Sequence, residues 1–171
     1  SFPTRRSSDL TVMENLRFFA DVYRVSPAER EERIPTLLHF ARLEQFRSRR
    51  AGRLSGGMQK KLALACTLVH EPRMIFLDEP TTGVDPVSRR EFWDILGTLH
   101  LQGVTLMITT PYMDEAERCS RVGLMFRGGL IACDRPEAIQ AMVSDEMLEI
   151  QPDSVNGSTQ LLENVAGVQE V

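Results

Sequence analysis

Two short stretches, one helix length apart, decide how this chain is read: Leu54-Ser55-Gly56-Gly57-Met58-Gln59 and Met74-Ile75-Phe76-Leu77-Asp78-Glu79-Pro80. The second is a continuous apolar run that ends abruptly on two acids. Such a run is expected of a parallel strand buried on both faces. At the carboxyl end of a parallel strand, side chains enter the crevice where open α/β sheets bind ligands. An acid there can hold a hydrated Mg2+ on the phosphates of a nucleotide, and its neighbour can orient a water for attack. Two adjacent carboxylates also resist double ionisation, which raises one pKa and makes that group a better base. The same string can equally be a turn decorated with acids, so alone it is weak. In the first stretch Ser55 is a natural N-cap, and Gly56 and Gly57 let another backbone or a phosphate come close. The free amides and positive dipole end of the helix favour an anion. Ser-Gly-Gly is also ordinary loop chemistry.

Upstream, the spacing predicts helices. Thr11 to Glu14 reads as a capping box, followed by an apolar face of Val12, Leu16, Phe19 and Val22/Tyr23. Ser26 and Pro27 start a second helix, with Ile34, Leu37, Leu38 and Ala41 on its apolar face. Pro35 inside it is expected to kink or split it. Arg47 to Arg53 is a basic loop, and the helix that begins at Ser55 is expected to end near His70.

Downstream, Asp85-Pro86 is a strong helix start, and that helix stops at Gly103. Val104 to Ile108 reads as a second buried strand, and Met113 to Arg118 as a short helix. Val122–Phe126 and Leu130–Cys133 flank Arg127-Gly128-Gly129 as a β-hairpin. The segment from Asp134 to Glu137 caps a helix running to about Met142. Strands alternating with helices indicate an α/β fold with a mainly parallel sheet. Met147–Ile150, Thr159–Asn164 and the residues from Val168 onward read as a strand, a short helix and another strand.

Composition sets the outer limits. The chain has 171 residues, 42% of them hydrophobic and 26% charged, and a net charge of −4. That argues against a dedicated nucleic-acid binder, which carries a basic excess. No apolar run approaches the ~18 residues of a membrane span, and no signal peptide is visible. Cys66, Cys119 and Cys133 form no CxxC pair, which fits a reducing compartment and neither a disulfide frame nor a zinc site. His39, His70 and His100 share no metal-ligand spacing. Cys66 reads as a core residue. Phe18, Phe19 and Tyr23 also read as core, although exposed members could line a groove for a membrane partner.

Taken together, the two opening stretches and Thr81-Thr82-Gly83-Val84-Asp85-Pro86 closely resemble the ATP-binding cassette (ABC) family of transporter ATPases. The resemblance covers about residues 9–142. It implies a P-loop NTPase-like α/β fold, with a mainly parallel sheet plus a helical subdomain. On it, residues 54–59 are the signature motif, and Ser55, Gly56, Gly57 and Gln59 contact ATP held by a partner subunit. The strand ending at Asp78 is the Walker B strand, and Asp78 is the Mg2+ residue, acting through water. Glu79 is the catalytic carboxylate, Asp85 is the acid of the D-loop at a dimer interface, and Ile108–Ala116 is the switch region. Leu10–Val25 looks like the helix that follows the Q-loop in drug and lipid exporters.

The sequence departs from the family pattern in two places. Its only lysines, Lys60 and Lys61, do not follow a glycine, so the Walker A pattern GxxxxGK[ST] is absent. Truncation just after the Q-loop is the expected reason, and the chain alone is then expected to be inactive. Residues 1–8 read as a foreign or disordered leader, 9–72 as the helical subdomain, 73–142 as the catalytic part, and 143–171 as a partial C-terminal accessory segment. Second, Pro111 stands where most members carry the switch histidine. Either Glu79 polarises the water alone, or the site is slow or degenerate.

The resemblance implies an ATP- and Mg2+-dependent ATPase subunit that drives export. Its partners would be a second ABC ATPase subunit and an integral membrane permease, with no nucleic acid. Its place would be cytoplasmic, peripheral on the inner face of the plasma membrane. Rival readings are a soluble ABC protein of translation or repair and a degenerate regulatory cassette. A repair protein would show a long coiled coil or CxxC modules before the signature, and this chain shows neither.

Overall fold

A computed structural model of the chain describes residues 8–142. They fall in two compact units that divide between Ala116 and Glu117. The leader assigned to residues 1–8, except Ser8, and the elements expected from 143 onward lie outside the described residues.

The first unit opens with α1 (Val12–Val22) and α2 (Pro27–Phe40). Both start with a complete capping box, Thr11 with Glu14 and Ser26 with Glu29, which satisfies otherwise orphaned first-turn amides. Pro35 does not split α2, which runs unbroken through it. The proline removes one intrahelical bond, but it and Glu31, whose carbonyl is freed, are exposed, so that carbonyl is open to solvent. Ile34 and Leu38 stay buried on the opposite side. In α1 the buried residues are Val12, Asn15, Leu16 and Ala20. Val22, Phe18 and Tyr23 are exposed, contrary to the expected apolar face and core roles. The 3.6-residue period carries the seam from Leu16 to Ala20, so Phe18 and Val22 fall off it, and Tyr23 already caps the helix.

A 3₁₀ turn at Glu44–Phe46 precedes the basic loop and another, at Ala51–Arg53, ends it. The loop is tied to the start of α1 through Val12 N–H to Arg49 O and Met13 N–H to Arg47 O, both 3.0 Å. Helix α3 (Gly56–Leu68) follows. Its Leu62, Ala65 and Cys66 close one core with Val12, Leu16, Ile34, Leu38 and Leu54. Burial pushes the Cys66 thiol up to about 12, which leaves it an inert packing residue.

Strands β1 (Met74–Asp78) and β2 (Thr105–Thr109) pair in parallel, joined by α4 (Pro86–Leu101). This right-sized crossover is the βαβ unit that parallel pairing requires. Its helix buries Phe92, Trp93, Ile95, Leu96 and Leu99. Neither strand is buried on both faces. Ile75 is buried, but Phe76 is 69% and Met107 59% exposed. Among the described residues the sheet has two strands, and side chains alternate between a covered and an open face. Helix α5 (Met113–Ala116) ends the unit.

In the second unit, β3 (Val122–Phe126) and β4 (Gly129–Asp134) form the antiparallel hairpin expected from the sequence. The short helix α6 (Pro136–Gln140) follows, with Pro136 in its first turn.

Candidate functional site

The register of β1 on β2 sets Asp78 directly beside Thr109 at the carboxyl ends of the two strands. The Thr109 hydroxyl donates to Asp78 Oδ1 at 2.5 Å. Among the described residues Asp78 Oδ2 accepts no hydrogen bond, and the side chain is exposed. An exposed carboxylate, steadied on one oxygen and open on the other, has the donor chemistry that a hydrated Mg2+ takes.

Glu79 leaves the strand with φ of 42°. This left-handed conformation is uncommon for a side chain other than Gly, Asn or Asp and persists only when neighbours enforce it. Here the Glu79 N–H donates to Thr109 O at 3.0 Å and lies 3.1 Å from Thr109 Oγ1. The Glu79 Oε2 accepts from the Thr82 hydroxyl at 3.1 Å. The two neighbouring acids are thus held by different hydroxyls and serve different places.

The turn after Glu79 closes through Val84 N–H to Thr81 O at 3.1 Å, with Gly83 at φ 75°. It delivers Asp85 as the N-cap of α4, where Oδ1 accepts from Ser88 N–H at 2.9 Å. That bond from the Ser88 backbone holds the Asp85 carboxyl below its usual range.

Ser55 caps α3 as the sequence indicates, its Oγ accepting from Met58 N–H at 3.3 Å. As an acceptor from the backbone, the hydroxyl keeps its own proton for an outward donor bond. The two glycines have different duties. Gly56 is exposed, and the nearest atom to a Cβ built on it is Gly83 O at 4.0 Å. Gly57 is buried, and a Cβ there would lie 2.5 Å from Ser88 Cβ. Gly57 therefore lets the start of α3 press on the start of α4, and Gly56 presents open backbone. Gln59 points back into the preceding loop, its Nε2 donating to Ala51 O and Leu54 O at 3.2 Å each. The structure thus brings Gly56 and Gly57 against the Gly83–Ser88 segment, and Asp78 and Glu79 against Thr109 and Thr82.

Pro111 is exposed on the loop after β2. The loop is closed by Tyr112 N–H to Thr110 Oγ1 at 3.1 Å. Sequence reasoning passed over Glu115, which is 1% exposed. Its Oε1 accepts from Thr81 Oγ1 at 2.7 Å and its Oε2 from Thr110 Oγ1 at 2.6 Å. Burial alone would raise its pKa. The hydrogen bonds from Thr110 and Thr81, with the charge of Arg89, outweigh burial and hold the carboxyl below its usual range.

The basic run contributes Arg49, Arg50 and Arg53 to a shallow concavity shared with Gln45 and Ser48. Arg49 also stacks over the Phe46 ring at 4.7 Å. Among the described residues no cluster of His, Cys, Asp and Glu could hold a metal by itself, and no helix is long and apolar enough to cross a membrane.

Known proteins resemble this chain in sequence and fold. A family model described as ABC transporter matches residues 4–82. The chain is 45% identical over 145 residues to the probable multidrug ABC transporter ATP-binding protein YbhF of Escherichia coli, a match covering 85% of this chain and 25% of that protein. It is 43% identical over 144 residues to the Nod factor export ATP-binding protein I of Rhizobium leguminosarum bv. viciae, covering 83% and 46%. Among solved structures it is similar to cbiO1 from Clostridium perfringens, part of the ABC transporter complex cbiONQ. The TM-score is 0.73 at 28% identity, over 81% of this chain and 56% of that one. The chain spans between a quarter and a half of the length of these curated relatives. The family model, the relatives and the fold agree: residues 4–82 match the ABC transporter family, and the chain is similar to ABC transporter ATP-binding proteins over most of its length.

Proposed function

We propose that the protein carrying this chain is the ATP-hydrolysing subunit of an exporter, acting with a second cassette and a membrane permease at the inner face of the plasma membrane. The observation that carries this reading is the pair Asp78 and Glu79, exposed at the carboxyl end of a parallel strand and bound by different threonines, Thr109 and Thr82. The relatives named for multidrug and Nod factor export support the direction, and the cbiONQ neighbour supports work with a membrane complex.

Each residue has a distinct role in this reading. Glu79 orients and accepts a proton from the attacking water, with Thr82 steadying one carboxylate oxygen. Asp78 would hold Mg2+, which would neutralise charge on the phosphates. Ser55 Oγ and the exposed first-turn amides at Gly56 offer donors to the γ-phosphate of a nucleotide held by the partner cassette. Gly57 and Gln59 set the pose of that helix start. Asp85 meets the partner cassette through the carboxylate oxygen that its cap leaves over. The 171 residues contain no Gly-Lys pair, so this chain by itself has no phosphate loop and does not turn over ATP.

The test is phosphate release by the full-length polypeptide that contains this chain. Glu79→Gln should cut turnover by roughly a hundredfold or more while nucleotide binding persists. Unchanged turnover would sink the reading. Pro111, which offers no side-chain donor, favours a second reading as a regulatory cassette. Nucleotide trapping by the wild type without turnover would select that one.

A further inference from the structure

Glu115 takes no part in the chemistry just described, yet it is the most deeply buried acid among the described residues. Its two oxygens are bound by hydroxyls from two different loops. One arm reaches Thr81, which opens the turn carrying Gly83 to Asp85 and precedes Thr82, the residue that holds the Glu79 side chain. The other arm reaches Thr110, whose hydroxyl also accepts the Tyr112 N–H and so brackets Pro111. A single carboxylate therefore spans the loop that holds the base and the loop at the switch position. Helix α4 backs the bridge. Arg89 Nη1 lies 3.9 Å from Glu115 Oε1 and 3.9 Å from Asp114 Oδ2, with its guanidinium over the Tyr112 ring at 4.7 Å.

The chemistry of the bridge is specific to a carboxylate. An ionised carboxylate only accepts, so both threonine hydroxyls must donate to it. That fixes the direction of the Thr110 hydroxyl and leaves its lone pairs for Tyr112 N–H. An amide at position 115 would offer one acceptor and one donor group, so one threonine would meet a donor.

We propose that Glu115 is a positioning residue that couples the Glu79 loop to the Pro111 loop, so that neither can shift without the other. The inference rests on the reading of Glu79 as the base.

The experiment measures ATP turnover by the full-length polypeptide in Glu115→Gln, Thr81→Val, Thr110→Val and the double valine variant. Glu115→Gln should lower kcat roughly ten- to hundredfold, with KM for ATP within about threefold of wild type. The double valine variant should lose no more than the worse single variant, because each breaks the same bridge. An independent readout is hydrogen exchange: in Thr81→Val the amides of Val84 and Tyr112 should both exchange faster, although Tyr112 lies on the unaltered loop. Faster exchange at Val84 alone, or unchanged kcat in Glu115→Gln with only a lower melting temperature, would overturn the coupling. If Glu115→Gln does not fold, the valine variants decide in its place. Glu79→Gln is the control. If it leaves turnover intact, the reading of the site fails and this proposal with it. If it abolishes turnover while Glu115→Gln keeps kcat, only the positioning role fails.

Discussion

Gly57 and Ser88 sit so close that a methyl group on Gly57 would lie 2.5 Å from Ser88 Cβ and 2.7 Å from its Oγ. The contact fastens the start of α3 to the start of α4, so the two helices are set by one another within this chain. A Cβ on Gly57 would meet a Cβ, which moves only with its backbone. Gly57→Ala should therefore destabilise the protein by about 1–3 kcal/mol, as over-packing does elsewhere. Gly56→Ala faces open space and should change stability by no more than about 0.5 kcal/mol. Urea denaturation of the two variants checks the contrast, and equal midpoints would contradict it.

A second link between the same helices is ionic. Lys61 on α3 is 6% exposed and pairs with Glu91 on α4, which also receives Arg42 Nη1 at 2.9 Å. The hydrogen bond from Lys61 holds the Glu91 carboxyl below its ordinary 4.5, against the opposing effect of burial and with help from the charges of Lys61 and Arg42. A folded pKa below the unfolded one means that the stabilisation is complete above the ordinary value. It is lost as pH falls through the folded value. Glu91→Gln leaves the Lys61 ammonium buried without its counter-charge and should cost about 1–3 kcal/mol at neutral pH. It should also flatten the loss of stability below pH 4.5. Arg42→Gln, which removes a 65% exposed partner, should cost less than about 1 kcal/mol. Melting temperatures between pH 3 and pH 7 separate the two.

What the sequence could show follows from how local each determinant is. Caps are local: Thr11, Ser26, Ser55 and Asp85 each bind an amide three residues on, and all four were legible. The hairpin turn and the strand ending at Asp78 were legible for the same reason. Exposure of Phe76 and Met107 was not, because an apolar run states that a side chain can be buried but not what covers it. Glu115 was invisible for a deeper reason. It sits beside Asp114 in a four-residue helix, and no period in so short a segment says which acid faces inward. Its partners are Thr81, 34 residues away, and Thr110. Helix ends at Arg24 and Arg42 were hidden too. Both take the left-handed conformation usually given to glycine, whereas Gly103 announced the end of α4.

Asp85 carries two duties that substitutions can separate. As the N-cap of α4 it needs an oxygen acceptor for Ser88 N–H, which asparagine also supplies. In its proposed contact with a second cassette it needs its charge. Asp85→Asn should therefore keep the melting temperature of the wild type and lower ATP turnover in the full-length protein. Asp85→Ala should lower both. Full turnover in Asp85→Asn would reduce the residue to a helix cap.

Pro111 gives the sharpest functional contrast. Its loop is closed without it, by Thr110 and Tyr112 on either side, and the residue itself is exposed. A histidine there can keep the backbone conformation and adds an exposed imidazole to the loop that follows β2. Placing one further donor at developing charge is worth roughly tenfold or more in rate. Pro111→His should therefore raise steady-state phosphate release by the full-length protein, and the gain should vanish when Glu79→Gln is added, because the imidazole assists the base and does not replace it. A gain that survives Glu79→Gln would move the base elsewhere. No gain at all would mean that Glu79, held by Thr82 and Thr109, already sets the water without help from the switch position.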